Sequence, residues 1–352
     1  MFFSDRFIIR HQAIFHLARI VIACAIALLI LHLFSIPHGS WALITIIVVM
    51  GPVSYLGSVL TKANQRLLGT LVGASLGFTL YLLPMNLSVF HDVILLIFIA
   101  VAMYFAHGRH SYAAILVGIT LVLVAGTGPG DLEVAEWRTL NVILGTVINY
   151  ACGRLFFPSR AIVHFQMLVS EFLQLSSDYY LLHSQELASD DEHMEYNMKL
   201  LSVNLAKQRS LMVHVQKEWH GDKQEIADIV ISERRVLSIL ENLINSRWET
   251  VTKLHQNTTG LELLAANETL FETINQLSLE VDTGEVKQVL TQDIELNLTL
   301  SPPEAQHVPT DFSEQNINQF GYLWLNHQLV QYLSALSFCL SKVFNHSPDK
   351  AK

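Results

Sequence analysis

The chain has 352 residues, 51% of them hydrophobic, and carries a net charge of −9 from 22 Lys+Arg and 31 Asp+Glu. The charge is unevenly spread: residues 20–153 hold eight charged side chains, whereas 14 of the basic and 26 of the acidic residues follow Pro158. An acidic second half excludes a nucleic-acid partner, since phosphate binding needs a basic surface, and the scattered Cys24, Cys152 and Cys339 exclude a disulfide framework and a metal-ligand spacing.

In chain order, residues 1–16 alternate Phe2, Phe3, Phe7, Ile8, Ile14 and Phe15 with Arg6, Arg10 and His11, the pattern of a short interfacial helix lying on a bilayer. The apolar run that follows begins late and leads into IPHGSW rather than a small-residue cleavage site, so it reads as a retained anchor. From Ile20 to Thr61 there is no Asp, Glu, Lys or Arg. Each charge near the centre of a membrane helix costs roughly 2.5–3.5 kcal/mol, so such a stretch suits hydrocarbon.

Six spans are expected, at 17–35, 41–60, 67–84, 90–107, 111–127 and 139–157, joined by short connections. Each has about the length that crosses a hydrocarbon core of roughly 30 Å. With the N-terminus inside, the inner segments carry Arg6, Arg10, Arg19, Lys62, Arg66, Arg109, Arg154 and Arg160, and the outer loops only Arg138. This asymmetry predicts both termini in the cytoplasm. Trp137 and Trp41 are placed for the outer interface.

After Phe157-Pro158 the chain reads as helices at about 160–187, 194–219, 222–256, 261–281, 284–299 and 313–345. Ile162, Phe165, Val169, Phe172 and Ser176 keep a helical spacing, as do Leu329, Leu333, Leu336, Leu340 and Val343. The expected fold is therefore all-α: an interfacial segment (1–16), a six-helix transmembrane bundle (17–158) and a cytosolic α-helical bundle domain (159–352).

The densest cluster of signals lies between Trp41 and Gly77. Gly51-Pro52 interrupts the second span, as a plain kink or as a break that exposes backbone groups to a substrate path. Lys62, Arg66, Gly69, Gly73 and Gly77 fall within about 80° of one another if one helix carries them, at about 100° per residue. The glycine ladder allows close helix approach, either inside one subunit or at a dimer or pore-lining seam. Gly118, Gly145 and Gly153 suggest further tight crossings. Lys62 and Arg66 are either membrane anchors or an electropositive vestibule that concentrates organic anions, with Arg109, between His107 and His110, joining them. Arginine adds a planar fork that grips carboxylates.

His107 and His110 alone do not make a metal site, and His32 at a span end reads as solvated. Asp92, at the outer end of the fourth span, is the sole Asp or Glu within the predicted spans, which leaves no obvious carboxylate relay for proton coupling. No HExxH, P-loop or GxSxG is present, so neither an enzyme nor a bound cofactor is expected.

The pattern W-x3-T-x6-P followed by K-x3-R-x2-GT-x2-G, here Trp41, Thr45, Pro52, Lys62, Arg66, Gly69, Thr70 and Gly73, resembles the fusaric-acid-resistance-like family, also called the aromatic acid exporter family. The IPHGSW and MGP segments and GYLWLN at Gly321–Asn326 look like bacterial inner-membrane members of this length, so the resemblance covers nearly the whole chain. It implies efflux of aromatic or other organic anions across a bacterial inner membrane. More distantly the chain is similar to plant malate channels, which pair two six-span subunits. Larger exporters of the family carry two membrane halves, so a homodimer is implied here. On this reading Lys62 and Arg66 attract the carboxylate, while Thr45 and the break at Pro52 offer polar groups deeper in. The other reading is a membrane-anchored scaffold or regulator acting through its cytosolic helical domain.

Overall fold

A computed structural model describes residues 5–51, 55–80, 88–108, 110–126, 132–184, 191–245, 258–287 and 314–345. Every regular element among them is a helix; Tyr55 and Ser159 form an isolated bridge. The chain divides into two compact units, residues 1–161 and 162–352.

The first unit contains α1 (Asp5–Arg10), α2 (Gln12–Leu33), α3 (Ser40–Met50), α4 (Leu56–Leu80), α5 (Ser88–Phe105), α6 (Ser111–Ala125) and α7 (Leu132–Leu155). By length and composition α2 can cross a membrane; α3, α5 and α6 offer shorter apolar stretches. The 25-residue α4 and 24-residue α7 are longer but bury polar side chains. The expected interfacial helix is only α1, because α2 already begins at Gln12.

The span expected at 41–60 is not one kinked helix. α3 closes at Met50, and Gly51 adopts φ +32°, a region that favours glycine. A residue preceding proline is also pushed away from helical geometry. The chain resumes helical form at Leu56 and keeps it through Lys62, Arg66 and the glycine ladder to Leu80. Pro52 itself lies outside the described residues.

Small residues set the packing. Cβ atoms added at Gly69, Gly73 and Gly77 would meet Leu116 Cβ, Thr120 Cβ and Val124 Cγ1 of α6, each at 2.7 Å. The ladder is thus a seam within the chain, and the rising numbers on both sides make α4 and α6 parallel. A Cβ at Gly145 of α7 would lie 2.6 Å from the Ala42 carbonyl of α3, and Asn149 Nδ2 donates to the Thr45 carbonyl at 3.2 Å. α3 therefore runs parallel to α7. α4 runs the other way, with Leu56 N donating to Ser159 O and Val59 nearest Gly153.

Around an apolar core this unit exposes many large apolar side chains and buries several polar ones. Leu29, Leu33, Phe90, Leu96, Ile97 and Val147 are exposed, whereas Arg19, Thr45, Arg66, Thr70, Asn141 and Asn149 are buried.

The second unit contains α8 (Ala161–Ser184), α9 (Asp191–Glu218), α10 (Lys223–Asn245), α11 (Thr258–Thr283) and α12 (Glu314–Phe344). Phe165, Val169, Phe172 and Ser176 of α8 are buried, as are Leu329, Leu333, Leu336, Leu340 and Val343 of α12, so both predicted seams face a core. Ser170 donates to the Ser278 carbonyl and Ser278 to that of Ser170, joining α8 to α11. Tyr180 Oη donates to Asn326 Oδ1 at 2.7 Å, which gives the last residue of GYLWLN a buried tie to α8. The helix expected at 284–299 is corrected at its start: Gly284 takes φ +74° and ends α11, residues 285–287 are non-helical, and the remainder lies outside the described residues.

Candidate anion site

The first turns of α2 tie down the end of the unit where α3 stops. Gln12 Nε2 donates to Ser159 Oγ at 3.4 Å, a ring nitrogen of His16 meets the Gly51 carbonyl at 2.8 Å, and the Arg19 guanidinium donates to the Phe157 carbonyl. Arg19 is 1% exposed, so a cation is sealed in here with the Phe157 carbonyl as an acceptor. A buried cation is retained only when its charge is answered.

Arg66, at 5% exposure, is a second deeply buried cation of the unit, and among the described residues its guanidinium has no acceptor such as the Phe157 carbonyl gives Arg19. Its Nε has no hydrogen-bond partner, and among the described residues no carboxylate lies within ion-pair distance. The sequence explains why none does: between residues 20 and 130 the sole acid is Asp92, which is exposed beside His91 on the first turns of α5. The electrostatic neighbour of Arg66 is Tyr112, on the first turn of α6, whose hydroxyl is also buried and unpartnered.

Helical arithmetic places Arg66 against a third helix. Val59 and Ala63 belong to the core cluster with Ile148 and Cys152 of α7. Arg66 and Thr70 stand seven residues beyond Val59 and Ala63, so they continue that stripe along α4. Thr70 is 1% exposed, and its Oγ1 too is unpartnered. The junction of α4, α6 and α7 thus gathers a guanidinium and two hydroxyls.

α7 contributes a polar row at four-residue spacing: Asn141, Gly145, Asn149 and Gly153. Asn141 Nδ2 donates to the carbonyls of Pro37 and Trp137, and Asn149 Nδ2 to that of Thr45; the Oδ1 atoms of both are buried and unpartnered.

The other residues singled out in the sequence divide clearly. Lys62 is half-buried one turn before Arg66 on the same helix. Thr45 is buried, but its hydroxyl donates to the Trp41 carbonyl at 2.8 Å and its Cβ packs at Gly145. Trp41 lies under the Arg138 guanidinium, 5.7 Å from ring centroid to Cζ, and Arg138 donates to the Leu123 carbonyl at the end of α6. That pair ties α3, α6 and α7 together at the end opposite the Arg19 clasp. Gly69, Gly73 and Gly77 form the α4–α6 seam rather than lining an open path. Arg109 and Pro52 lie outside the described residues; His107 and His110 are exposed. His32 is exposed in the last turn of α2. Among the described residues no three His, Cys, Asp or Glu side chains gather as a metal site.

Tyr112, Asn141, Asn149 and the buried hydroxyl of Thr70 escape a reading tuned to charge and glycine. The signal was present as the i, i+4 recurrence of Asn and Gly on the sixth span and as the Thr within the GT pair. Uncharged polar residues in an apolar helix acquire meaning only once their burial is known.

A sequence model of the Fusaric acid resistance protein family matches residues 13–338. The chain is also similar to "Inner membrane protein YeeA" of Escherichia coli (strain K12), at 27% identity over 335 residues, covering 93% of each chain.

Proposed function

The chain belongs to the Fusaric acid resistance protein family, and on that premise we propose that it is an inner-membrane transporter or channel for organic anions, aromatic carboxylates among them, working in efflux as a pair of identical subunits. The observation that carries the reading is the buried Arg66, which has no carboxylate partner among the described residues. A cation in a low-dielectric interior attracts an anion far more strongly than one at a wet surface. An anion that enters from solution answers the Arg66 charge and can leave again, as transport requires.

The exposed apolar and buried polar side chains of residues 1–161 support a bundle that meets lipid on its outside, with α2 to α7 as six crossings of alternating direction. The distribution of Lys and Arg supports cytoplasmic termini, with Lys62 and Arg66 toward the cytoplasmic mouth. The second copy follows from the two membrane halves of larger family members, where this chain has one.

The test is a flux screen in liposomes that contain the purified full chain, across aromatic and aliphatic carboxylates. Flux above that of protein-free liposomes for at least one carboxylate is expected. No flux with any anion would overturn transport and favour a membrane-anchored scaffold.

A further inference from the structure

On α4 and α6, where they meet near α7, three unpartnered buried atoms can donate; the unpartnered Oδ1 atoms of Asn141 and Asn149 on α7 can only accept. Arg66 Nε can only donate, and the hydroxyls of Thr70 and Tyr112 are both free to donate. Among the described residues no acidic side chain lies within ion-pair distance of Arg66. The three groups are also close in the fold. Arg66 and Thr70 are one helical turn apart on one stripe of α4, and Tyr112 adjoins Ala113, whose carbonyl faces Gly69 between them. Arg66 and Tyr112 lie within electrostatic reach of one another.

An unmet buried donor is costly, about 1–3 kcal/mol and more when charged, and folding gathers such groups in one place only where something else meets them. A cation would be repelled. A neutral apolar ligand would leave every donor unmet. The complement of one guanidinium edge and two hydroxyls is a compact oxyanion with several lone pairs, and the planar guanidinium edge matches the two oxygens of a carboxylate.

We propose that Arg66, Thr70 and Tyr112 together form a carboxylate-binding cradle, in which Tyr112 and Thr70 are the ligands that select an oxyanion and Arg66 supplies the charge. The inference rests on the reading of the protein as an organic-anion transporter and adds the hydroxyl ligands to it. The glycine seam is part of the construction: with no side chain at Gly69, α6 comes close enough for Tyr112 to reach the α4 stripe. A lipid phosphate shares the same chemistry, but the near-complete burial of Arg66 and Thr70 favours a small soluble acid over a headgroup tethered to acyl chains.

The test measures benzoate binding to the full chain in detergent, by calorimetry and by the rise in unfolding midpoint that a ligand of the native state produces. Tyr112→Phe and Thr70→Val are each expected to weaken benzoate by about tenfold, as loss of a hydrogen bond to a charged group does. Thr70→Ser, which keeps the hydroxyl, is expected to bind as the parent does, and Arg66→Ala to lose binding. If Tyr112→Phe and Thr70→Val bind benzoate like the parent while Arg66→Ala does not, the cradle is wrong and the anion reading survives. If the parent binds no carboxylate, both fall. A parallel arm adds phosphatidylglycerol: hydroxyl variants that lose lipid stabilisation but leave benzoate binding intact would overturn a cradle for soluble acids.

Discussion

Two arginines of the first unit show how the same residue type takes different parts. Arg19 and Arg66 are both almost fully buried. Arg19 donates to the Phe157 carbonyl and helps to close one end of the bundle, whereas the Arg66 guanidinium has no acceptor among the described residues. In the second unit the corresponding anomaly is Glu233 of α10, a buried carboxyl with no cation beside it among the described residues. Gln208 Nε2 donates to its Oε1 at 3.0 Å and also reaches Asn204 Oδ1, while Glu233 Oε2 and Gln208 Oε1 remain unmet. Burial raises the Glu233 carboxyl well above the usual carboxylate range, and the single bond from Gln208 only partly opposes it. The linkage has a definite sign. The folded state holds this proton more tightly than the unfolded chain, so the contribution to stability is complete below the unfolded value of about 4.3 and is lost as pH rises through the folded value. Glu233→Gln keeps the shape without the ionisation. Its unfolding midpoint should therefore gain on that of the parent as pH is raised from about 5 to 7. A difference that does not vary with pH would show that Glu233 carries no such linkage.

Among the elements, the seam between α4 and α6 is the most exacting. A methyl group at Gly73 would sit 2.7 Å from Thr120 Cβ and 2.8 Å from the Val117 carbonyl, and a carbonyl on a helix cannot step aside alone. At Gly153 the nearest atom is Val59 Cγ1 at 3.5 Å, an ordinary contact. Gly73→Ala should lower stability by about 1–3 kcal/mol through overpacking. Gly153→Ala should be neutral or mildly stabilising, since alanine favours a helix by up to about 1 kcal/mol. Unfolding midpoints of the two variants in detergent check the contrast, and equal effects would contradict the seam. α4 was the element most legible in the sequence, because cations and glycines at helical spacing fix one face wherever the helix begins. The leucine spacing of α12 was equally plain. The end of α3 was not, because a Gly-Pro pair is compatible with a kink or with termination, and the choice depends on the contacts that hold Gly51, including the one from His16. The candidate site was legible in its charge and not in its hydroxyls: Arg66 stands out in a sparsely charged stretch, whereas Thr70 and Tyr112 gain significance from a neighbouring helix that the sequence does not locate.

At the scale of the whole chain, two units of opposite character follow one another. Residues 1–161 bury polar groups and expose apolar ones, while residues 162–352 place leucine and phenylalanine inside and carry most of the acidic side chains of the chain. The first arrangement suits lipid and the second suits water, which accords with a family of membrane proteins and with an inner-membrane relative aligned over nearly the full length. Within the lipid-suited unit Arg66 is a buried charge that no described side chain answers. Efflux of a labelled aromatic carboxylate from liposomes containing either the parent chain or Arg66→Ala, matched for protein content, tests this most directly. The account predicts flux well above protein-free liposomes for the parent and near that background for Arg66→Ala; undiminished flux in Arg66→Ala would contradict it.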